Sequence, residues 1–311
     1  MTPCLLGKSS GRCKGGWCAS AVKSLSSIYA LKPLIPTFCI GIVVIYDLAD
    51  RLRNFVAGIF IPQYHYPYAV ALCFAQVLVS LLFLNVLHVL GVVPLRHYSR
   101  CLGERLLLPS VCNSVQGVLV MWARARSTTT GLFLYTVPLL PLVTVCFSFA
   151  LKLAPPPSKY SSYLISFLSG MFIIITVSKD LPSIEPLEYL YAPLALILHS
   201  LSLVVMATVS EAERHHPPDA QASVFDIYHV QLVNQSWVLG LLWVLHPESP
   251  WHVLRRSSWR TLLFHGYLLA LLLLGMLLNF LIGISALCIS PLAGALLYSA
   301  RQMIQPFYQL L

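Results

Sequence analysis

The stretch RTLLFHGYLLALLLLGMLLNFLI, from Arg260 to Ile282, decides the fold class of this chain. After Arg260 it contains no Asp, Glu, Lys or Arg, and as a helix it is long enough to cross the roughly 30 Å hydrocarbon core of a bilayer. Comparable apolar stretches recur along the chain, which is 58% hydrophobic and only 10% charged, whereas soluble proteins carry about a quarter charged residues. The sequence therefore predicts an all-α, polytopic membrane helical bundle.

Helix breakers between the apolar stretches divide the chain into nine predicted spans. The spans are residues 34–62, 67–91, 105–122, 129–151, 160–178, 186–209, 223–245, 260–282 and 286–309. We assign residues 34–178 to a first set of five spans and residues 179–311 to a second, apparently incomplete set of four.

Residues 1–33 are basic and contain no acidic residue, since the first carboxylate is Asp47. Two interpretations are open: a cytosolic tail that orients the first helix by the positive-inside rule, or a mitochondrial transit peptide. We adopt the cytosolic tail. The net charge of +9 is spread over short loops, so we expect no nucleic-acid partner, whereas membrane lipid is an expected one.

The sequence contains no constellation typical of an enzyme. There is no paired-carboxylate motif and no Walker lysine, and His215-His216 has no third ligand at metal spacing. We therefore expect no catalytic residue, no metal and no cofactor. His88 and His199 lie alone in apolar runs, where a satisfied packing residue is the ordinary interpretation.

Charged and polar side chains inside predicted spans are the functional candidates, because such groups are costly at membrane depth. In span one, Asp47 lies four residues before Arg51, and Asp50 lies three before Arg53. These pairs can neutralise one another on one helix. The alternative is that the first apolar run ends at the interface and that these charges are solvated.

Span seven has a polar face in its first turns. It is made by Asp226, Tyr228, His229, Gln231 and Asn234. Such a helix is expected to line a watery cavity, although part of the polarity is also typical of a helix that starts at the interface.

Arg301 lies inside the last apolar segment, and no acidic residue follows Glu248. We expect it to find a partner across the bundle or to bind an anionic ligand. A guanidinium has five donors in a planar fork, which suits phosphate. The alternative is that Arg301 snorkels to the interface from a frayed helix.

Two spans share a short pattern that is compatible with an internal repeat. Span four contains Gly-Leu-Phe-Leu-Tyr-Thr at residues 131–136, and span nine contains Gly-Ala-Leu-Leu-Tyr-Ser at residues 294–299. Spans four and nine are equivalent in a design of two inverted five-helix repeats. In that design Tyr135 and Tyr298 line opposite walls of one midplane site.

From about residue 40 onward the chain resembles the nucleotide-sugar transporters of the drug/metabolite transporter superfamily, the solute carrier 35-like UDP-sugar and GDP-sugar group. Three features carry the resemblance: Tyr66-Pro67 with Gln76 in the second helix, Tyr228-His229 in the seventh, and Ser290 followed eleven residues later by Arg301-Gln302 in the ninth.

The resemblance implies ten helices in two inverted repeats and an antiporter of the Golgi or endoplasmic reticulum membrane. It would exchange a nucleotide sugar for a nucleoside monophosphate. By the same resemblance Arg301 binds phosphate, and Gln302, Tyr298, Tyr228 and His229 belong to the substrate site. A tenth helix would follow Leu311, so the resemblance implies a shortened form that lacks the last helix. A homodimer is left open.

Span four departs from the family pattern, because the expected basic pair before a proline is replaced by LFLYTVPLLPL, residues 132–142. Loss of one phosphate contact favours an alternative. In that alternative the chain is a non-transporting membrane interaction or scaffold protein that keeps the transporter fold.

Overall fold

In the computed structural model, the described residues are 34–64, 69–126, 136–152, 158–177, 187–215, 221–245 and 261–308. The chain divides into two compact units, Met1–Ile42 and Val43–Leu311. The first unit contributes only the start of one helix to the described residues, and the second contains all the other described helices. The predicted tail, residues 1–33, lies outside the described part, and the predicted boundary between repeats at residue 178 stays a prediction.

The described residues are helical throughout apart from turns and short connections, which confirms the all-α class. The helices are α1 (Leu34–Tyr64), α2 (Ala69–Val89), α3 (Arg100–Arg105), α4 (Leu107–Arg126), α5 (Leu140–Ala150), α6 (Lys159–Val177), α7 (Glu188–Arg214), α8 (Val224–Leu245), α9 (Leu262–Cys288) and α10 (Pro291–Tyr308), with a single 3-10 turn at Val137–Leu139 that leads into α5.

Three of these helices are long and apolar enough to cross a membrane: α2, α9, and α7 from Tyr189 to Arg214. Shorter apolar helices occur at Leu107–Ala123 and Val137–Ala150. This composition is compatible with a multi-pass membrane protein. Residues 262–282 form most of α9, which continues past the predicted end to Cys288.

Local chemistry explains where α2 and α10 end and begin. Gly91 follows α2 with a φ of +71°, a left-handed conformation that costs glycine little and closes the helix C-terminus. Ser290 precedes α10, and its Oγ accepts the backbone N–H of Ala293 at 3.1 Å. Pro291 at the first helical position completes this start signal. The break between the last two helices therefore lies at Ile289–Ser290, later than predicted.

Small polar side chains hold the helix interfaces. Ser200 of α7 donates to Thr144 Oγ1 of α5 at 3.0 Å, and Ser202 of α7 donates to the carbonyl of Pro109 in α4 at 2.9 Å. Ser110 of α4 lies within 3.2 Å of the carbonyl of Gln231 in α8. Short side chains let backbones approach closely, a packing mode typical of membrane helices.

A glycine makes the contact between α2 and α9 possible. Gln76 Nε2 donates to the carbonyl of Leu271 at 3.2 Å. A Cβ on Gly275 would collide with that amide group. Beside this contact, an apolar cluster of α1, α2 and α9 includes Phe60 and Phe264, whose ring centroids are 5.4 Å apart.

The exterior of the bundle is apolar and the interior contains polar groups. Large side chains such as Tyr160, Phe167, Trp237 and Leu262 are exposed, whereas many serines, glutamines and two aspartates are buried. In water such an apolar surface would be far larger than a monomer usually presents. The distribution suits an environment of lipid.

Candidate functional site

Arg301 finds its partner in Asp50, at the opposite end of the chain. Its Nη1 lies 3.0 Å from Asp50 Oδ2. The same oxygen accepts the side-chain amide of Asn54 at 3.0 Å, one turn further along α1. Because Asp50 and Arg301 are 251 residues apart, this contact joins the first helix of the bundle to the last. The expectation of a partner across the bundle is met by an acid of span one.

Both groups lie well inside their helices. At 1.5 Å per residue, Arg301 is about 15 Å along α10 from its first residue, Pro291. Asp50 is near the middle of α1. The Asp50 side chain is 7% exposed and the Arg301 side chain 35%. The carboxylate is thus the enclosed member, and the guanidinium is the accessible one.

The guanidinium keeps donors for another ligand. Arg carries five N–H donors, and within the described part of the chain Arg301 makes a single hydrogen bond, from Nη1 to Asp50. The remaining fork is the geometry that carboxylates and phosphates bind. A negative charge near it would be attracted by Arg301 and repelled by Asp50, so the ion pair sets the strength of any anion site here.

The second charged pair of α1 has a different environment. Arg51 Nε lies 2.8 Å from Asp47 Oδ2, with 65% and 36% of the side chains exposed. Exposed ion pairs of this kind contribute little to stability. The charged stretch of span one thus contains an exposed pair, Asp47 and Arg51, and a buried carboxylate, Asp50.

Tyr298 and Gln302 lie on α10 beside Arg301. The Tyr298 ring is 4.8 Å from the imidazole of His199 on α7, and it packs against an apolar cluster of α4 and α7. Gln302 is half-buried, and its Oε1 is buried without a hydrogen-bond partner in the described structure. Tyr135, the predicted counterpart of Tyr298, lies outside the described residues.

Asp226 of α8, like Asn234, bonds to the backbone of neighbouring segments and does not line the cavity. Asp226 accepts the backbone N–H of Ser223 at 2.9 Å, and Ser223 Oγ accepts the N–H of Asp226 at 3.1 Å. This reciprocal arrangement is a capping box. The other carboxylate oxygen accepts the N–H of Arg96 at 2.8 Å. The interpretation as a polar helix start is therefore right for Asp226.

Asn234 fixes the connection before α4. Its Nδ2 donates to the carbonyl of Gly103 at 2.8 Å, and its Oδ1 accepts the hydroxyl of Tyr98 at 3.0 Å. All of its described bonds thus go to the segment around α3. Asn234 has the contacts of a structural residue.

Tyr228 is buried and its ring lies against the backbone of Gly283, where a Cβ would come within 2.6 Å of a ring carbon. Its hydroxyl has no hydrogen-bond partner among the described residues. His229, its neighbour in sequence, is half-buried, and its Nδ1 is also without a partner there. Of the predicted site residues on α8, Tyr228 is the one that lines an internal cavity.

That cavity has a volume of about 30 Å³ and lies among α2, α4, α7, α8 and α9. More than half of its lining side chains are polar. The polar lining residues are Ser80, Asn113, His199, Ser202, Tyr228, Gln231, Gln235 and Asn279. Neither Arg301 nor Tyr298 lines it, but Tyr298 touches His199, which does.

His199 is a cavity residue that the sequence did not identify as a site, whereas Gln231 belongs to the polar face of span seven that was expected to line a cavity. Neither ring nitrogen of His199 has a partner in the part of the chain that is described. His199 packs against Tyr298 as expected, but no protein group among the described residues satisfies its ring nitrogens. His88 is hydrogen-bonded, since its Nδ1 accepts the N–H of Leu95 at 3.0 Å, but its side chain is exposed rather than packed in the core. In the sequence His199 follows an apolar run and is followed closely by Ser200 and Ser202. This short polar cluster inside a span is the signal that could have indicated His199.

No group of three or more His, Cys, Asp or Glu side chains that could hold a metal ion occurs among the described residues. Comparison of the chain with protein-family models finds no match, and comparison with curated proteins finds none either. The resemblance to nucleotide-sugar transporters therefore depends on the short motifs quoted above. Of these, Ser290 has a structural role as the cap of α10.

Proposed function

We propose that this chain is a multi-pass membrane transporter that exchanges a nucleotide sugar for a nucleoside monophosphate by alternating access. The observation that carries the proposal is Arg301, a guanidinium at mid-helix depth that is bonded to Asp50 on one side and keeps further donors. The Arg301 side chain is 35% exposed, so its remaining donors are accessible to an incoming anion. An arginine that binds and releases an anion needs donors to spare.

The Asp50–Arg301 pair also supports an exchange mechanism. The pair ties α1 to α10, and its two charges neutralise each other. A phosphate that binds the guanidinium competes with Asp50 for it and loosens this tie. The helices then move only while an anion is bound, which is the requirement for exchange rather than leakage.

The helix packing supports the proposed arrangement of nine spans in two inverted repeats. In that arrangement spans two and seven are equivalent, and so are spans four and nine. Equivalent spans from the two halves are expected to meet at the pseudo-symmetry axis. Two of these pairs do pack together, since α2 contacts α8 and α5 contacts α10, whereas among the described residues α4 and α9, the helices of spans three and eight, form no comparable interface.

The compartment follows from the resemblance, which favours the Golgi or endoplasmic reticulum membrane. The basic residues 1–33 favour a mitochondrial membrane as the alternative. Fluorescence microscopy of the tagged full-length chain against markers of the three compartments separates these. A mitochondrial pattern would overturn the Golgi and endoplasmic reticulum assignment.

A second function, a non-transporting membrane interaction or scaffold protein, is favoured by a different observation. Arg301 already has a counter-ion in Asp50, and span four has no basic residue to hold a second phosphate. The ion pair would then be a structural lock with no ligand. This candidate predicts a folded, stable protein that exchanges nothing.

Exchange in liposomes tests the first function against the second. Purified chain is reconstituted with a preloaded nucleoside monophosphate, and uptake of a panel of labelled nucleotide sugars is measured. The transporter is expected to take up at least one of them, to lose uptake as Arg301→Ala and to keep part of it as Arg301→Lys. Arg51→Ala is the matched control, because it removes an exposed, ion-paired arginine of α1.

Asp50→Asn adds a sharper test of the exchange mechanism. It frees Arg301 while preserving the shape of the side chain. We expect uptake into liposomes with no preloaded nucleotide to rise relative to the wild-type chain. Uptake that stays dependent on preloading would contradict the lock, and no uptake of any nucleotide sugar by folded wild-type protein would overturn the transporter.

A further inference from the structure

The cavity among α7, α8 and α9 contains buried polar groups that have no partner in the described structure. They are both ring nitrogens of His199, the hydroxyl of Tyr228 and Oε1 of Gln231. The exposed fractions of these residues are 6%, 4% and 4%. A buried donor or acceptor with no partner is costly, so native structures supply one in nearly every case.

The chemistry of these groups selects the class of ligand. No carboxylate lines the cavity, so nothing there compensates a charged imidazole, and the neutral ring offers one donor and one acceptor. Tyr228 offers a donor and an acceptor, and Gln231 Oε1 an acceptor only. A metal cation needs acceptors alone and an anion needs donors alone. A molecule that both donates and accepts satisfies all three side chains.

The size of the cavity limits which donating and accepting molecule can occupy it. A volume of about 30 Å³ has room for one or two water molecules, and a water usually makes about three hydrogen bonds to buried polar groups. We propose that this cavity is an internal water site, in which one or two waters bridge His199 of α7 to Tyr228 and Gln231 of α8. The water is then the polar connection between two helices whose side chains form no direct hydrogen bond here.

Neighbouring contacts fix the geometry of this site. Gly283 of α9 leaves space for the Tyr228 ring, and Phe280 meets that ring edge-on at 5.7 Å. On the other side the His199 ring is held by Tyr298 at 4.8 Å. Both rings are thus positioned by packing, with their polar atoms free for water.

The direct test is a structure of the full chain in lipid nanodiscs at a resolution that shows ordered water. We expect one or two peaks within about 3.2 Å of at least two of the three side chains. An empty or collapsed cavity would overturn the proposal. So would a peak that contacts only acceptor atoms and strengthens with added sodium, because that identifies a cation. Thermal stability should accordingly be equal in sodium and choline salts.

A double-mutant cycle tests the same site in solution and is independent of transport. His199→Phe and Tyr228→Phe keep both rings and remove the polar atoms. If one water joins them, the double variant should change the unfolding equilibrium by several-fold less than the product of the single changes. If the change in the double variant equals the product of the two single changes, the two side chains do not share a water. Gln231→Met with Tyr228→Phe repeats the cycle if His199→Phe fails to fold.

Ser169→Ala provides the matched control for the cycle. Ser169 lies on α6, is fully buried and also has an unpartnered hydroxyl among the described residues, but it does not line the cavity. Combined with Tyr228→Phe it should give the product of the two single effects. Because no step here uses a nucleotide, failure of the water site and failure of the proposed transport are separate results.

Discussion

Two regions of this bundle contain buried polar groups, and these groups are compensated in different ways. The Asp50–Arg301 region is charged, and each charge is compensated by the other across 251 residues of sequence. The cavity region around His199 and Tyr228 is neutral, and its polar groups have no protein partner in the described structure. A charge in a bundle requires a counter-charge, whereas a neutral group can be satisfied by water. The first region can therefore respond to an anion, and the second cannot.

The largest effect is expected from Arg301→Ala. It leaves Asp50, which is 7% exposed, as a buried carboxylate with only Asn54 to bond. Removing one member of a buried pair costs about 3–5 kcal/mol, and the partial exposure of Arg301 places the expectation at about 3 kcal/mol. Unfolding of the purified chain in detergent or nanodiscs measures it.

The reciprocal change, Asp50→Ala, should cost less than Arg301→Ala. The guanidinium it strands is 35% exposed and carries a long stem that can reach water. Equal losses for the two variants would contradict the asymmetry between an enclosed acid and an accessible base.

A smaller effect is expected in the neutral region from Gly283→Ala. The added methyl would come within 2.6 Å of a Tyr228 ring carbon, and an aromatic ring in a packed site can yield only by shifting its neighbours. Overpacking of this kind costs about 1–3 kcal/mol. Gly266→Ala is the control, because nothing lies within 4 Å of the added atom. If the two variants unfold alike, the Tyr228 ring is not packed against α9 as described.

Helix α8 allows a comparison between a polar residue that is hydrogen-bonded to protein groups, Asn234, and one that is not, Tyr228. Asn234→Leu removes the partner of Gly103 and of Tyr98 and should cost about 1–3 kcal/mol, because buried groups are left unsatisfied. Tyr228→Phe removes no described protein bond and should cost at most about 1 kcal/mol. Thermal unfolding of both variants beside the wild type measures these losses of stability. A larger loss for Tyr228→Phe than for Asn234→Leu would overturn the assignment of Asn234 as the structural residue.

The smallest effect is expected at the outer pair of α1. Arg51→Ala removes a pair in which the arginine is 65% exposed, and exposed pairs contribute roughly 0–1 kcal/mol. The unfolding midpoint should therefore stay close to that of the wild type, and the small difference between the two should shrink as salt is added. A loss as large as that of Arg301→Ala would mean that exposure does not distinguish the two pairs.

Local chemistry made much of the fold predictable. Each of the nine predicted spans overlaps a described helix, because a run of apolar residues bounded by proline, glycine or charge forms a helix whatever its neighbours are. The predicted end of α9 is wrong, because Gly283 to Ser285, which separate the two predicted spans, continue the helix as far as Cys288. Ser290-Pro291 was the stronger local signal.

The site was predictable only in part. That Arg301 needs a partner follows from the cost of a guanidinium at membrane depth, but nothing near it in sequence shows that the partner is Asp50. His199 was set aside because its environment is made by residues of four other helices. The polar face of α8 was recognised, yet only the fold separates Asp226 and Asn234, which hold the backbone, from Tyr228, which faces the cavity.

The most direct test of the central claim is a charge-reversal cycle on Asp50 and Arg301. The unfolding free energy is measured for Asp50→Arg, for Arg301→Asp and for the double variant, in which the charges are exchanged. The ion pair between α1 and α10 predicts that each single variant is strongly destabilised and that the double variant recovers most of the loss. A double variant whose loss equals the sum of the single losses would contradict it.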